Sequence, residues 1–403
     1  MTEATPRGPL HGLRVIELAH VMAGPSCARL LADLGAEVIK LERPGGEDCR
    51  RMAPPWQGDE AAGFLMLNRN KRGIVVDLKH PDGRQVLLDL VKEADVLIEN
   101  FRKGTMERLG VGYDTLASIN PGLIFCEISG FGRTGPYADR GGFDLVAQAM
   151  SGVLSVTGTG PDGPPIKAGV PVGDIGAGLL AAVGILAALA ERQRTGRGQR
   201  VDTSLFEACV HFMTWPAATW FATGERTPPM GTAHALDAPY QAFEAADGWF
   251  VIGAANQANW ERLIKAIGCE ALGEDPRFVD NPARVANLTA LVDALTPVFT
   301  QKDKAHWLAL LEDAGVPAGP INDIDAVLDD PQLRARHMIH EVTHKTLGTV
   351  GTVGSPIQFS GHAPTAARGA PTLGEHTEDI LREAGYDDAR IEALVATGAV
   401  YRA

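Results

Sequence analysis

The stretch Leu13–Glu42, LRVIELAHVMAGPSCARLLADLGAEVIKLE, decides the fold class. LRVIELA and AEVIKLE are apolar runs of strand length, and the small-residue segment from about Ser26 to Leu34 between them has helical spacing and stops at the turn residue Gly35. The same alternation continues downstream. A helix near Gly83–Glu93 leads to DVLIEN, Asp95–Asn100, and a polar segment leads to GLIFCEIS, Gly122–Ser129. Strands joined through helices run parallel, because the crossover needs the helix, and strands covered on both faces lose their polar alternation. The pattern predicts an α/β protein built on a parallel sheet.

A chain of 403 residues is long enough for two or three compact units, and 45% hydrophobic with 22% charged residues suffices to cover a large sheet. A net charge of −13 excludes a non-specific grip on nucleic acid or anionic lipid, so a polyanionic ligand would have to meet local Lys and Arg. Cys27, Cys49, Cys126, Cys209 and Cys269 form no C-x-x-C pair and leave an odd thiol, which points to a reducing, cytoplasmic setting and to no metal. Met1–Leu10 lacks the apolar core of a signal peptide. The most apolar stretch, Gly178–Ala190, reads as a buried helix within a longer one from about Ile175 to Arg194.

After Ser129 the alternation gives way to Gly- and Pro-rich loops, then the long helix, the short strand QRVDTSL and more helix. We place a second unit at residues 224–320, with a strand WFVIGAA (Trp249–Ala255) and amphipathic helices near Asn259–Ile267, Leu288–Phe299 and Lys304–Ala314. Residues 321–403 return to the first unit, residues 1–223.

Several motifs carry less than their spelling suggests. Gly130/Gly132/Gly135 and Gly158/Gly160/Gly163 both match G-x-G-x-x-G, yet Pro136 and Pro161 stand where a dinucleotide fingerprint needs helix N–H groups, so both read as loops. His337, His340 and His344 would share one face of a helix, but the polar segment around them reads as solvated surface rather than a metal site.

The run from Phe131 to Gly178 is an unusually long stretch of loop chemistry, and long structured loops in compact enzymes are commonly functional. Within it Asp174 follows Gly173 and stands just before the long helix, where the dipole and free N–H groups favour a carboxylate anion. A plain N-cap fits the same spacing equally well.

Eight stretches, in order, are VIELAHVMAGP, EVIKLERPGG, NRNKRGIVVDLK, ADVLIENFRKG, VGDIGAG, ILAALAERQRTGRGQRVDTSLFEA, GSPIQFSG and LGEHTEDIL. Together they resemble, over nearly the whole chain, the class III CoA-transferases (CaiB/BaiF family), relatives of formyl-CoA transferase and alpha-methylacyl-CoA racemase. The resemblance implies a large Rossmann-like domain made from both chain ends, a smaller α+β domain and an interlocked homodimer. It places the nucleophilic aspartate at Asp174 and the CoA site at Arg43, Val76, Lys79, Asn100, Phe101, Arg102, Arg108, Arg140 and Phe143. Cations there make sense, because CoA carries a diphosphate and a 3′-phosphate.

The implied reaction moves CoA from an acyl-CoA to a free carboxylic acid through an aspartyl anhydride and an aspartyl-CoA thioester, with no permanently bound cofactor and the CoA thioester as substrate. Met22 stands where formyl-CoA transferases carry glutamine, and Phe143 where the racemases carry a histidine base. MGTAHALDAPYQAF, with Gly231 in a flexible glycine loop, resembles most the branch using succinyl-CoA and dicarboxylic acids. Arg51 and Arg72 are candidates for a distal carboxylate. A 2-methylacyl-CoA racemase and a non-catalytic CoA-binding protein are the alternatives, the latter having no use for an exposed aspartate.

Overall fold

The computed structural model describes residues 8–362 and 367–403; Met1–Arg7, most of the segment read above for a signal peptide, lies outside the described residues. The chain divides into two compact units. The first comprises Met1–Ser151, Ala168–Met213 and Pro331–Ala403, and the second Gly152–Lys167 and Thr214–Asp330.

The first unit is a mixed α/β fold around one large sheet. Its strands are β1 (Arg14–Glu17), β2 (Glu37–Glu42), β3 (Lys71–Val76), β4 (Val96–Glu99), β5 (Ile124–Ser129), β6 (Arg200–Ser204) and β7 (Val400–Tyr401). Among the described residues they lie in the order β7-β3-β2-β1-β4-β5-β6, parallel except for the edge strand β7. Val15 sits opposite Val38 on one side and Val96 on the other. Ile16, Ile39, Ile74, Leu97 and Phe125 project from the strands into one core and are at most 1% exposed.

The covering helices used below are α1 (Ala23–Asp33), α2 (Pro81–Val91), α3 (Asp144–Met150), α4 (Val172–Thr195) and α5 (Leu205–Phe212). Both α1 and α4 begin three residues earlier than their spacing predicts. In α1 the cause is Pro25, which a first helical turn accepts because its missing N–H has no partner there anyway. Along α4, Gly176, Ala177, Gly178, Ala181 and Ala182 are buried. A Cβ on Gly178 would lie 2.7 Å from the Ala23 carbonyl oxygen, so glycine there is what lets α4 lie against α1. By length and composition α4 is apolar enough to cross a membrane, and half of its most apolar window is buried inside the protein. The remainder is exposed, where Gly178–Ala190 was expected to be buried throughout: Leu179 and Val183 are 50% and 63% exposed.

The second unit carries an antiparallel sheet of Tyr240–Ala245, Gly248–Gly253 and Ala318–Pro320. Helices Gln257–Ala266, Leu288–Phe299 and Lys304–Asp313 bury Trp260, Phe299 and Trp307 against it. Gly231 lies in this unit with φ +64°, its N–H bonded to the Gly158 carbonyl at 2.7 Å.

The histidine segment is not helical. Ile339–His344 pairs with Gly348–Val353 as an antiparallel hairpin in the first unit, with His340 and His344 on the strand and His337 before it. His344 is buried, not solvated, and its Nδ1 accepts from the Leu347 N–H at 3.3 Å. Among the described residues no group of three His, Cys, Asp or Glu could hold a metal ion.

Beneath the β1–α1 loop lies a fully buried ionic cluster. Glu17 pairs with Lys40 at 3.1 Å and with Lys71 at 2.7 Å, and Lys40 pairs also with Glu47 at 3.0 Å. Burial opposes each charge. It pushes Lys71 down to about 8, since Lys71 must share Glu17, whereas the carboxylates of Glu17 and Glu47 hold Lys40 above its usual range despite burial. The cluster fixes backbone directly: Lys40 donates to the Ala19 carbonyl at 3.1 Å, Lys71 to the Pro25 carbonyl at 3.1 Å, and Glu47 accepts the Val21 N–H at 2.8 Å. Val21 has φ +62°, a conformation that a β-branched residue keeps only when its surroundings impose it. Glu17→Leu would leave two buried ammonium groups short of a partner. It is expected to destabilise the protein by about 3–5 kcal/mol in urea unfolding at fixed protein concentration; a loss near zero would show that the cluster does not hold the sheet.

Candidate active site

The C-terminal ends of β1, β2, β3, β4 and β5 open onto one cavity of about 700 Å³, in the size range of small-molecule sites. In open α/β sheets this is where ligands bind, because the loops after the strands converge there. Each residue arrives by its strand: Arg43 after β2, Val76 at the end of β3 with Lys79 beyond it, and Asn100, Phe101 and Arg102 after β4. Arg108, Arg140, Phe143 and Asp174 complete the set, so all ten residues assigned above line the same cavity. Arg51 and Arg72 do not. Arg51 donates to the Gly45 carbonyl at 2.9 Å, and Arg72 bridges Glu37 and Glu383 at 2.7 Å each.

The wall is apolar inside, with Leu18, Leu41, Val76, Leu78, Ile128 and Leu205, and basic at its exposed rim. Arg43, Lys79, Arg102, Arg108 and Arg140 are exposed there in a protein of net charge −13. Arg43 pairs with Asp48 at the surface and donates to the Gly46 carbonyl at 3.1 Å, Arg108 donates to the Thr105 hydroxyl at 2.9 Å, and Arg140 stacks 4.5 Å over the Tyr137 ring. Asn100 is fixed, exchanging hydrogen bonds of 2.8 Å with the His20 N–H and carbonyl, and the His20 ring packs edge-on against Phe101. Burial holds His20 below its usual pKa.

Arg133, unremarkable in the sequence, is buried in the cavity wall. It pairs with Glu99 and with Glu127 at 3.1 Å and donates to the Phe101 carbonyl at 2.9 Å, clamping the loop after β4. Burial pushes Glu99 up to about 8 against the pull of Arg133.

Asp174 is half-buried in the first turn of α4, not ahead of it, and caps nothing. The cap comes from another helix. Asp144, the first residue of α3, accepts the Gly173 N–H at 2.8 Å and the Asp174 N–H at 3.4 Å. The helix dipole alone would favour the Asp174 anion, as its position predicts. Burial outweighs it, the Asp144 charge adds to burial, and the Asp174 carboxyl is pushed up to about 6. Phe143, just before α3, is 79% exposed and brings a hydrocarbon ring where a base would need a titratable group. The first glycine match, Gly130/Gly132/Gly135, leads into loop rather than helix, with Gly132 and Gly135 at positive φ.

Comparison with known proteins shows the family. The family model for CoA-transferase family III matches residues 10–377. A succinyl-CoA:glutarate CoA-transferase from Mus musculus is 39% identical over 394 residues, covering 97% of this chain and 90% of its own length. An acetyl-CoA:oxalate CoA-transferase from Acetobacter aceti is 41% identical over 391 residues, covering 96% and 99%. The crystal structure of a CAIB/BAIF family protein from Brucella suis matches with a TM-score of 0.84 at 41% identity, covering 94% of this chain and all of that one.

The raised Asp174 pKa carries a sign. Asp174 favours the folded state fully below its unfolded pKa near 4, and that contribution is lost as pH rises through about 6. Asp174→Asn removes the penalty. The variant is therefore expected to melt with wild type at pH 4 and above it at pH 8, by thermal denaturation at matched concentration; equal melting at both values would mean that the carboxylate is not destabilised.

Proposed function

The chain belongs to CoA-transferase family III, and from that premise we propose that it moves coenzyme A from succinyl-CoA to a second dicarboxylic acid, with Asp174 as the acyl-accepting nucleophile. The observation that carries this reading is the half-buried carboxylate of Asp174 in a cavity with an apolar interior and a rim of six cations, Lys103 among them. The rim suits the phosphates of CoA, since charge-assisted contacts to phosphate are the stronger hydrogen bonds. The interior suits the pantetheine arm and thioester. With a pKa of about 6, Asp174 is ionised roughly tenfold over its acid form at pH 7 and attacks without a general base.

In this scheme an Asp174 oxygen attacks the donor thioester, releasing CoA thiolate and leaving an anhydride. The thiolate attacks the aspartyl carbonyl, the donor acid departs as carboxylate, and an aspartyl-CoA thioester remains. The acceptor carboxylate runs the sequence in reverse. The donor class rests on the mouse succinyl-CoA:glutarate enzyme, and the acceptor class on that enzyme and the Acetobacter acetyl-CoA:oxalate enzyme, whose acids each carry two carboxylates.

We propose further that two copies pair in an interlocked homodimer. What supports it is the apolar strip that α4 leaves uncovered, Ile175, Leu179 and Val183 at successive turns, continued by Leu145, Val146 and Met150 of α3. Exposed apolar strips of this kind mark interfaces.

Incubation with succinyl-CoA and a panel of carboxylic acids is expected to yield new CoA esters by mass, most readily with dicarboxylates. Asp174→Ala and Asp174→Asn should abolish transfer while leaving CoA binding intact, and hydroxylamine during turnover should convert Asp174 to its hydroxamate. Normal transfer by Asp174→Ala would reject the nucleophile. For the dimer, Leu179→Arg with Val183→Glu should sediment as a monomer; an unchanged sedimentation coefficient would place the interface elsewhere.

A further inference from the structure

Asp144 is held in place by more than a cap requires. Its Oδ1 accepts the N–H groups of Gly173 and Asp174, and its Oδ2 accepts from the Gln148 amide at 2.6 Å. Gln148 is fully buried, and its own oxygen accepts the Ala168 N–H at 3.0 Å. A Cβ on Gly173 would stand 3.0 Å from Asp144 Oδ1 and 3.0 Å from Cys209 Sγ, so the backbone carrying Asp174 is pinned between α3 and α5. A neutral Ser or Asn would satisfy the same N–H groups. The carboxylate adds a fixed negative charge beside Asp174.

We propose that Asp144 is a positioning residue whose charge makes Asp174 the poorer leaving group of the anhydride, directing CoA thiolate to the aspartyl carbonyl. This rests on the Asp174 reading above. The anhydride offers two carbonyl carbons. Attack at the donor's acyl carbon forms the new C–S bond there and breaks that carbon's bond to Asp174 oxygen; the electron pair returns to Asp174 as carboxylate, beside Asp144. Attack at the aspartyl carbon forms the C–S bond on Asp174 and breaks the bond to the donor oxygen, and the pair leaves on the free acid. Only the first path rebuilds two adjacent anions, and like charges disfavour it. The same repulsion stabilises acylated, neutral Asp174 relative to the free enzyme.

The other groups around Asp174 do not cancel this charge. From α5 the Cys209 thiol is pushed up by burial and by both aspartates, and stays neutral. From β5 and β6, Glu127 is paired with Arg133 and Arg200, and Asp202 accepts the Arg133 N–H. The first turns of α1, Ala23–Ala28, carry no charged side chain. The cavity wall adds His20, with its pKa lowered by burial, and the carboxylates Asp48 and Asp77, while the cations Arg43, Lys79, Arg102, Lys103, Arg108 and Arg140 lie at the exposed rim.

The test uses the full chain, with Asp144→Asn and Asp144→Ser as neutral caps. Exchange of labelled succinate into succinyl-CoA is followed against pH with the same acid throughout, so its ionisation is common to every protein. In wild type the acid limb should inflect near 6; in the neutral variants it should fall towards the ordinary carboxylic range, with burial holding it above that range. At fixed succinyl-CoA and succinate, the ratio of aspartyl-CoA adduct to free enzyme, read by intact mass, should drop in step with the inflection, about tenfold for each unit it moves. Variants that exchange slowly but keep the wild-type inflection and adduct ratio would overturn the proposal and leave Asp144 a cap. A wild-type inflection near 4 would overturn it without any variant. Exchange by Asp174→Asn at the wild-type rate would instead reject the nucleophile; an inactive Asp174→Asn beside unmoved Asp144 variants rejects only the role given to Asp144.

Discussion

The structure turns on one buried carboxylate. Glu17, with no solvent exposure, sits between Lys40 and Lys71, and each lysine continues outwards to a backbone carbonyl of the loop or helix that follows β1. Buried ion pairs of this kind contribute little net stability, since desolvation offsets most of their attraction. Their effect is to fix geometry. Glu47, reached through Lys40, holds Val21 in its left-handed turn; Lys71 holds the first turn of α1 at Pro25; and α1 is the surface on which α4 lies. The position of Asp174 against the cavity follows from that chain of contacts, which begins at the centre of the sheet.

Charge is distributed around the cavity in layers. Exposed cations stand at the rim, Arg133 with its glutamates lies within the wall, and Asp144 sets its charge beside Asp174. An acidic protein can hold a polyanion only through such local concentration, because the field of the whole molecule repels it. The same repulsion discourages anions that fit the rim poorly.

The sheet was legible in the sequence from its periodicity, and the cavity residues from the family resemblance. Apolar runs broken by helical spacing announce parallel strands, and the loops after parallel strands converge whatever their composition, so Arg43, Lys79 and Asn100 meet in space although they are far apart in the chain. Contacts made between elements were not legible. Nothing near Arg133 announces that two glutamates will bury it, and nothing in FDLVAQAM announces that Asp144 will cap a helix beginning 28 residues later, 172 − 144. Residues spaced by four share a face of a helix and of a strand alike, so the spacing of His340 and His344 fits a helix face although the two lie on a hairpin. Arg51 and Arg72 failed for the complementary reason: their nearest carboxylates and carbonyls claim them first.

The edge strand β7 has a consequence for how the protein comes into being. Val400 and Tyr401 pair with Val76 and Val75, the Tyr401 carbonyl accepts from the Thr377 hydroxyl, and the Asp77 N–H that opens the loop to Lys79 bonds to the Ala399 carbonyl at 2.9 Å. During synthesis, β3 and that loop emerge more than three hundred residues before the partner that completes them. Until Ala399–Tyr401 are released, the nascent chain carries an apolar sheet edge with open hydrogen-bonding groups and an unfinished cavity lip. The cavity wall at Asp77 is thereby tied to the late-emerging residues Ala399–Tyr401, and a chain cut before Ala399 forfeits sheet edge and cavity wall at once.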